Sequence, residues 1–372
     1  MKEITGDYGK AEIFTDDVEA CAEAQIKMIC DDPVSEGSTI RVMPDVHPGQ
    51  VGTIGLTMTI GGRILPNLLG IDIGCGVTCA LVRGKQMELQ KLDAVIRANV
   101  PSGFRVRDKV HHMAEDFPLE KLRCPGDVNW EKAFLSLGTL GGGNHFIEVD
   151  RDGEGKYYIV IHSGSRHLGK EVTERYLRAG ARLLKEKGLE APYPLTWLEG
   201  RLMEDYIADV QTVQEYALLN RRIILWQIIK GMKLKCEEEF SSVHNYLEES
   251  GGVRILRKGA ISAKEGERVV IPVNMRDGVI LGRGKGNPEW NWSAPHGSGR
   301  RIQRSEVKKH YTVSAFKNEM KGIYCSCVGA DTLDEAPFAY RNMERLLGDI
   351  GDAVEVTDII KPVYNFKAGG KA

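Results

Sequence analysis

The chain has 372 residues and a formal net charge of -2, from 50 basic against 52 acidic side chains. That length allows one large domain or two ordinary ones, and 42% hydrophobic with 27% charged residues excludes a disordered or fibrous chain. The balance also excludes attraction of a polyanion by the whole-protein field, so a nucleic-acid partner would need local basic patches.

In chain order, apolar spacing predicts a helix over 16–30, and 38–60 alternates short apolar runs with glycine as strands and loops do. The Gly-rich segment 61–83 reads as buried strand and tight turn. Strands are expected at 146–149 and 157–161, flanked by Gly-rich loops. Helical spacing covers 168–187, with Gly188 as cap, and returns over about 198–235, where Leu202, Tyr206, Val210, Val213 and Ala217 recur. Short strands follow at 253–257, 268–273 and 279–281, then a helix over 337–347. Strands and helices that segregate without regular alternation imply an α+β fold. With no long linker and no internal repeat, the expectation is a single catalytic domain over 1–372, carrying a helical insertion at about 168–235.

Eight cysteines are too sparse for a disulfide scaffold, which points to a reducing, cytoplasmic compartment. The first residues lack an apolar signal core and no run approaches the roughly 18 apolar residues of a membrane span, so no membrane association is expected.

The sharpest local feature is GIDIGCG at 70–76, which places Asp72 and Cys75 in a loop framed by three glycines. Alone, it reads equally as a turn-forming aspartate and a small buried thiol. Four of nine histidines, however, lie beside Gly or Asn rather than on helical faces: His145, His162, His244 and His296. With Asp72 and Cys75 they make a set of imidazole, thiolate and carboxylate donors suited to a transition metal. The set admits two adjacent ions and does not choose the metal.

Other signals are weaker. The loop GTLGGGN at 138–144 and Ser163, Ser165 and Arg166 offer donors to an anion, without a P-loop. Five basic residues between 296 and 310, Arg300, Arg301, Arg304, Lys308 and Lys309, face only Glu306 and could track a nucleic-acid backbone, as could Arg221 and Arg222. His111 and His112 are expected to be solvated, His310 to lie on a surface helix, and His47 and His167 to be turn or loop residues. Cys325 and Cys327 would share one strand face and be buried.

Taken in order, the segments MPDVHPGQVGTIG, GIDIGCGV, GTLGGGNHFIEV, IHSGSRHLG, NRRII, VHN, RKGAISA, GKGNPEWNWSAPHGSGR, DEAPFAYRN and NFKAGG resemble the RtcB RNA-splicing ligases over about nine tenths of the chain. The resemblance implies a ligase that joins RNA 3′-phosphate or 2′,3′-cyclic phosphate ends to 5′-hydroxyl ends with GTP and Mn2+. It implies two manganese ions on Asp72, Cys75, His145, His162 and His244, with the thiolate bridging, and His296 as the nucleophile that accepts GMP, oriented by Asp45. Asn144, Glu148, Asn245, Tyr340 and Lys367 fall on nucleotide-contacting positions and Arg166 on an anion contact, while Arg300 and Arg301 of the basic run are the candidate RNA contacts. An archease-type activator is a further partner the family allows. Val273-Asn274 before Met275 and Ala294-Pro295 before His296 depart from the family pattern, which bears on guanine preference. The rival readings are a binuclear metallohydrolase, which needs no covalent nucleotide, and a non-catalytic binder of RNA ends.

Overall fold

The structure is a computed structural model and describes residues 1–84 and 86–368, and of Pro125 the backbone only. Gly369 and Gly370, which end the NFKAGG segment, lie outside the described residues. Two main sheets organise it. The first has six strands in the order Lys2–Thr5, Lys10–Ile13, Ile40–His47, Ile54–Thr59, Val253–Lys258 and Asn245–Ser250. The second runs Lys235–Val243, Gly76–Arg83, Tyr157–Ser163, Phe146–Arg151, Val354–Lys367, Gly278–Gly284 and Arg268–Asn274, with Tyr324–Cys325 parallel to Val354–Lys367. This second sheet curls, and its end strands meet where the Val270 N–H donates to Ser242 Oγ at 3.0 Å.

Period-two alternation decides which side chains enter the curl. Val77, Cys79, Phe146, Tyr158, Val160, Val270 and Val279 pack together inside it. Ile147, Val149, Ile159 and Ile161 point the other way, onto Ile224, Leu225 and Ile228 of the long helix Gly200–Met232. Both faces are therefore dry, which is why these strands read as apolar runs rather than as alternating ones. Glu148 and Asp150 fall on the Phe146 face, inside the curl, and His162 falls on the Val160 face.

The helix Gly200–Met232 carries apolar residues on most of its surface and is clamped between the curled sheet, the helix His167–Glu186 and the first sheet's core. Helix His167–Glu186 closes as expected: Gly188 takes φ +68° and the Leu189 N–H returns to Leu184 O at 2.9 Å. The sequence reading is corrected at two helices. The first begins at Ala20 rather than 16, because Asp17 sits in extended chain and pairs with Arg345 at 3.0 Å. The expected helix over 337–347 is a short turn, Pro337–Ala339, and a separate helix, Met343–Asp349. Between them Tyr340 is extended, and the Arg341 N–H bonds Gly299 O at 3.0 Å, which brings this segment beside His296.

The mixed architecture agrees with the α+β expectation. All eight cysteines are free thiols, and no helix among the described residues is long and apolar enough to cross a membrane.

Candidate active site

The loop between Pro66–Leu69 and Gly76–Arg83 carries Asp72 and Cys75. It is held from below by the long helix, where Arg221 is fully buried. Its guanidinium donates to Gly74 O at 2.8 Å, Ser163 O at 2.9 Å and Thr78 Oγ1 at 3.1 Å. Asn220, one residue earlier, accepts from the Gly138 N–H at 2.8 Å and the Thr139 N–H at 3.1 Å, and donates to Gly164 O at 3.1 Å. One helical turn thus fixes three loops at once. Arg221 is consequently a scaffold residue and not an RNA contact, whereas Arg222 is exposed and pairs with Glu239 at 2.9 Å.

Five expected ligands converge above this turn. Cys75 Sγ lies 3.2 Å from His162 Nε2 and 3.5 Å from His145 Nε2, and His145 Nε2 lies 3.2 Å from Asp72 Oδ2. His162 Nε2 is 3.2 Å from His244 Nε2. His244 joins the Lys235–Val243 strand of the curled sheet to Asn245–Ser250 of the first sheet, so it belongs to the seam between them. The donors form two sets, Cys75–His162–His244 and Asp72–Cys75–His145, each with its atoms within 4.8 Å of one another and sharing the sulfur.

The residues fit metal binding on their own chemistry. His145 Nδ1 lies 2.9 Å from Leu140 O, and His162 Nδ1 lies 3.0 Å from Asn144 O, contacts that require N–H on Nδ1 and leave Nε2 a bare lone pair. Lone pairs of His145 and Asp72 then face each other at 3.2 Å, which repels unless a cation lies between them. Burial holds His162 and His244 well below the usual imidazole range, so both are neutral. Burial opposes ionisation of Asp72, whereas the positive charge of Arg166 favours it. Burial and the Asp72 charge push the Cys75 thiol up, so a cation must displace its proton to make it a ligand.

His296 follows the short strand Ser293–Pro295. Its Nδ1 lies 2.7 Å from Asp45 Oδ2, and its backbone N–H reaches the same oxygen at 3.2 Å. Asp45 is fully buried. In the neutral ring the carboxylate acceptor keeps the proton on Nδ1 and puts the lone pair on Nε2. His296 lies beside His244, with ring centroids 4.8 Å apart, and lines a cavity.

Asn144, Glu148, Arg300, Tyr340 and Lys367 line the same cavity, as do Val273 and Asn274 of the departure from the family pattern. Burial raises Glu148 to about 7, and Asp150 behind it further still, through burial and the Glu148 charge. Glu148 accepts from Asn365 Nδ2, whereas neither Asp150 oxygen meets a donor among the described residues, so burial favours the protonated form more strongly at Asp150. Arg166 adopts φ +57°, and its Nη1 lies 3.3 Å from His145 Nδ1, close to the ligand cluster. Gly141 is required here, since a Cβ there would lie 1.9 Å from that guanidinium.

Two expected contacts sit elsewhere. Asn245 turns to the backbone, accepting from the Gly259 N–H at 2.9 Å. Arg301 is exposed and reaches only Tyr311 OH, at 3.5 Å. His111 is buried against Trp226, at a ring distance of 5.1 Å, which corrects the expectation that it is solvated. One cavity residue and one residue behind the cavity escaped the sequence reading. His47 lines the wall, and burial, with His296 and Arg300 nearby, brings it to about 4. Glu335 accepts from Lys367 Nζ at 2.6 Å and Tyr340 OH at 2.7 Å, and also pairs with Arg300 and Arg304. These cations overcome its burial and hold it at about 2. Its only sequence signal was its place in DEAPFAYRN, ahead of Tyr340.

A family model described as tRNA-splicing ligase RtcB matches residues 32–123 and 126–368. The chain is 30% identical over 367 residues to the RNA-splicing ligase RtcB of Escherichia coli strain K12, covering 88% of this chain and 90% of that one. It is 29% identical over 402 residues to the tRNA-splicing ligase RtcB of Pyrobaculum aerophilum, covering 82% of each. A match this long, joined to a site in which the shared segments meet around one sulfur, places the chain in the RtcB family of RNA-splicing ligases.

Proposed function

We propose that this chain joins RNA 3′-phosphate or 2′,3′-cyclic phosphate ends to 5′-hydroxyl ends, using GTP, two manganese ions and a covalent histidine–GMP intermediate on His296. The observation that carries the reading is the Asp45–His296 pair, because it leaves a free imidazole nitrogen in the cavity beside the ligand cluster. A metallohydrolase on the same ligands would have no use for that nitrogen, and a non-catalytic binder would need neither. Both sheets contribute to this one cavity, which supports a single catalytic unit.

In this reading His296 Nε2 attacks the α-phosphorus of GTP; the N–P bond forms and pyrophosphate leaves. Asp45 keeps the Nδ1 proton and offsets the positive charge the ring acquires. Bound by Asp72, Cys75, His145, His162 and His244, manganese would neutralise phosphate charge as a Lewis acid. Asn144, Glu148, Tyr340 and Lys367 hold the nucleotide, while Asn245 steadies the loop behind it. GMP then passes to the RNA 3′-phosphate, and the 5′-hydroxyl displaces it to close the phosphodiester. Arg166 and Arg300 are placed to hold RNA phosphate, with Arg301 outside the cavity as a contact for more distant RNA. An archease-type activator would act on turnover rather than on these contacts.

The test is incubation with α-labelled GTP and manganese, followed by joining of a cyclic-phosphate RNA to a 5′-hydroxyl RNA. Label should remain on the protein as an acid-labile, alkali-stable adduct and be lost in His296→Ala together with joining. Joining without any protein-bound label would overturn the mechanism.

A further inference from the structure

Cys325 and Cys327 lie outside the ligand cluster, and the ligase chemistry leaves them unused. Their sulfurs are 3.2 Å apart. Among the described residues they join no set of three metal donors, and two thiols do not close a metal shell. Thiol–disulfide chemistry remains.

The surroundings divide the two roles. The Lys367 N–H donates to Cys327 Sγ at 3.2 Å, and Cys327 opens onto a solvent-filled groove that it shares with Arg97 and Arg105. The hydrogen bond from Cys325, the Lys367 N–H and the charges of Lys367 and Arg97 lower the Cys327 thiol against its burial, while the same hydrogen bond and burial raise Cys325. A thiol whose ionised form is favoured, lining a groove beside a partner that holds its proton more tightly, is the arrangement of a redox-sensing pair. Cys325 is held by the pairing of Tyr324–Cys325 with Val354–Lys367, and after it the chain leaves the strand, so both sulfurs can turn to one side.

We propose that Cys325 and Cys327 form a reversible disulfide on exposure to a hydroperoxide, with Cys327 as the attacking sulfur, and that this weakens nucleotide binding through Lys367. Cys327 attacks one peroxide oxygen; an S–O bond forms, the O–O bond breaks, and the departing alkoxide takes a proton to leave as alcohol. Cys325 then attacks the Cys327 sulfur; the S–S bond forms, the S–O bond breaks, and hydroxide leaves with the Cys325 proton as water. Each sulfur gives up one electron and the peroxide takes up two. A disulfide sulfur accepts the Lys367 N–H less well than a thiolate does, and Lys367 is the residue whose ammonium meets Glu335 behind the cavity, at 2.6 Å. The nucleotide consequence rests on the proposed function; the disulfide itself does not.

The full chain, reduced and loaded with manganese, is treated with hydrogen peroxide, digested without reductant and mapped by mass, with GTP affinity measured before and after. The expected result is a linked Cys325–Cys327 peptide, lighter by two hydrogens and reopened by dithiothreitol. GTP affinity should fall roughly fivefold to tenfold, as when one charged hydrogen-bonding group is misplaced. Cys325→Ser should keep its affinity after the same treatment. A map in which both thiols stay reduced, an unchanged affinity once they are linked, or an equal loss in Cys325→Ser would each overturn the proposal. If the reduced chain binds no GTP, the ligase reading fails, and the peptide map alone decides the dithiol.

Discussion

On one side, next to the cavity, three histidines, Cys75 and Asp72 aim lone pairs at one another, whereas on the other the cavity-lining Arg300, Arg304 and Lys367 enclose a single carboxylate, Glu335. The first set is made of donors that a cation would reconcile. The second already has its charges matched. Cation binding at the first therefore fills a need, while a phosphate arriving at the second must take over cations that Glu335 holds.

The largest effect should follow from removing the shared sulfur. Cys75→Ala takes one donor from both ligand sets, so joining should fall by roughly three orders of magnitude or more and manganese titration should lose both sites. Retention of two tight sites would break the distinction between the two sides. Next is Arg221→Leu, which removes a buried guanidinium that bonds three groups at once; we expect about 3–5 kcal/mol of lost stability by denaturant titration. Arg222→Ala provides the comparison at below about 1 kcal/mol, because its ion pair is exposed.

Acid should act on stability with a definite sign. Burial brings His111 and His167 to about 4 in the folded chain, against the ordinary 6.5 when unfolded. Between those values the unfolded chain binds more protons, so stability falls as pH drops from 6.5 toward 4, by about 2 kcal/mol per histidine at the acid end. Thermal melts across this window should slope downward toward acid, and His111→Gln should flatten the slope; a level profile would contradict the burial. The smallest effect is reserved for Glu335→Gln. It should tighten inorganic pyrophosphate several-fold in calorimetry while leaving manganese affinity unchanged, since it frees cations on one side alone.

The convergence of Asp72, Cys75, His145, His162 and His244 was legible because glycine and asparagine beside histidine leave it no apolar wall to pack against, a local signal that survives without knowing the fold. Glu335 was not, because its meaning arises only when residues from 300–304 and 367 come around it, and neither periodicity nor spacing encodes that meeting. Arg221 was legible and misread. It shares a helical stripe with Ala217, Ile224 and Ile228, all buried, and that spacing marked it as an inward side chain before its charge suggested RNA. The break at Tyr340 was missed although Asn342 is a helix-start residue and caps Met343–Asp349; pairing of Tyr340 with Arg300 after His296 fixes the extended link before it.

His244 is the residue at which one sheet hands over to the other, and its ring faces ligands borne entirely by the curled side. An ion seated there acts as a rivet across the seam. Part of its binding energy becomes rigidity between the two halves, so chelation should loosen Asn245–Ser250 before the buried strands beneath it, in the order in which amide protons exchange.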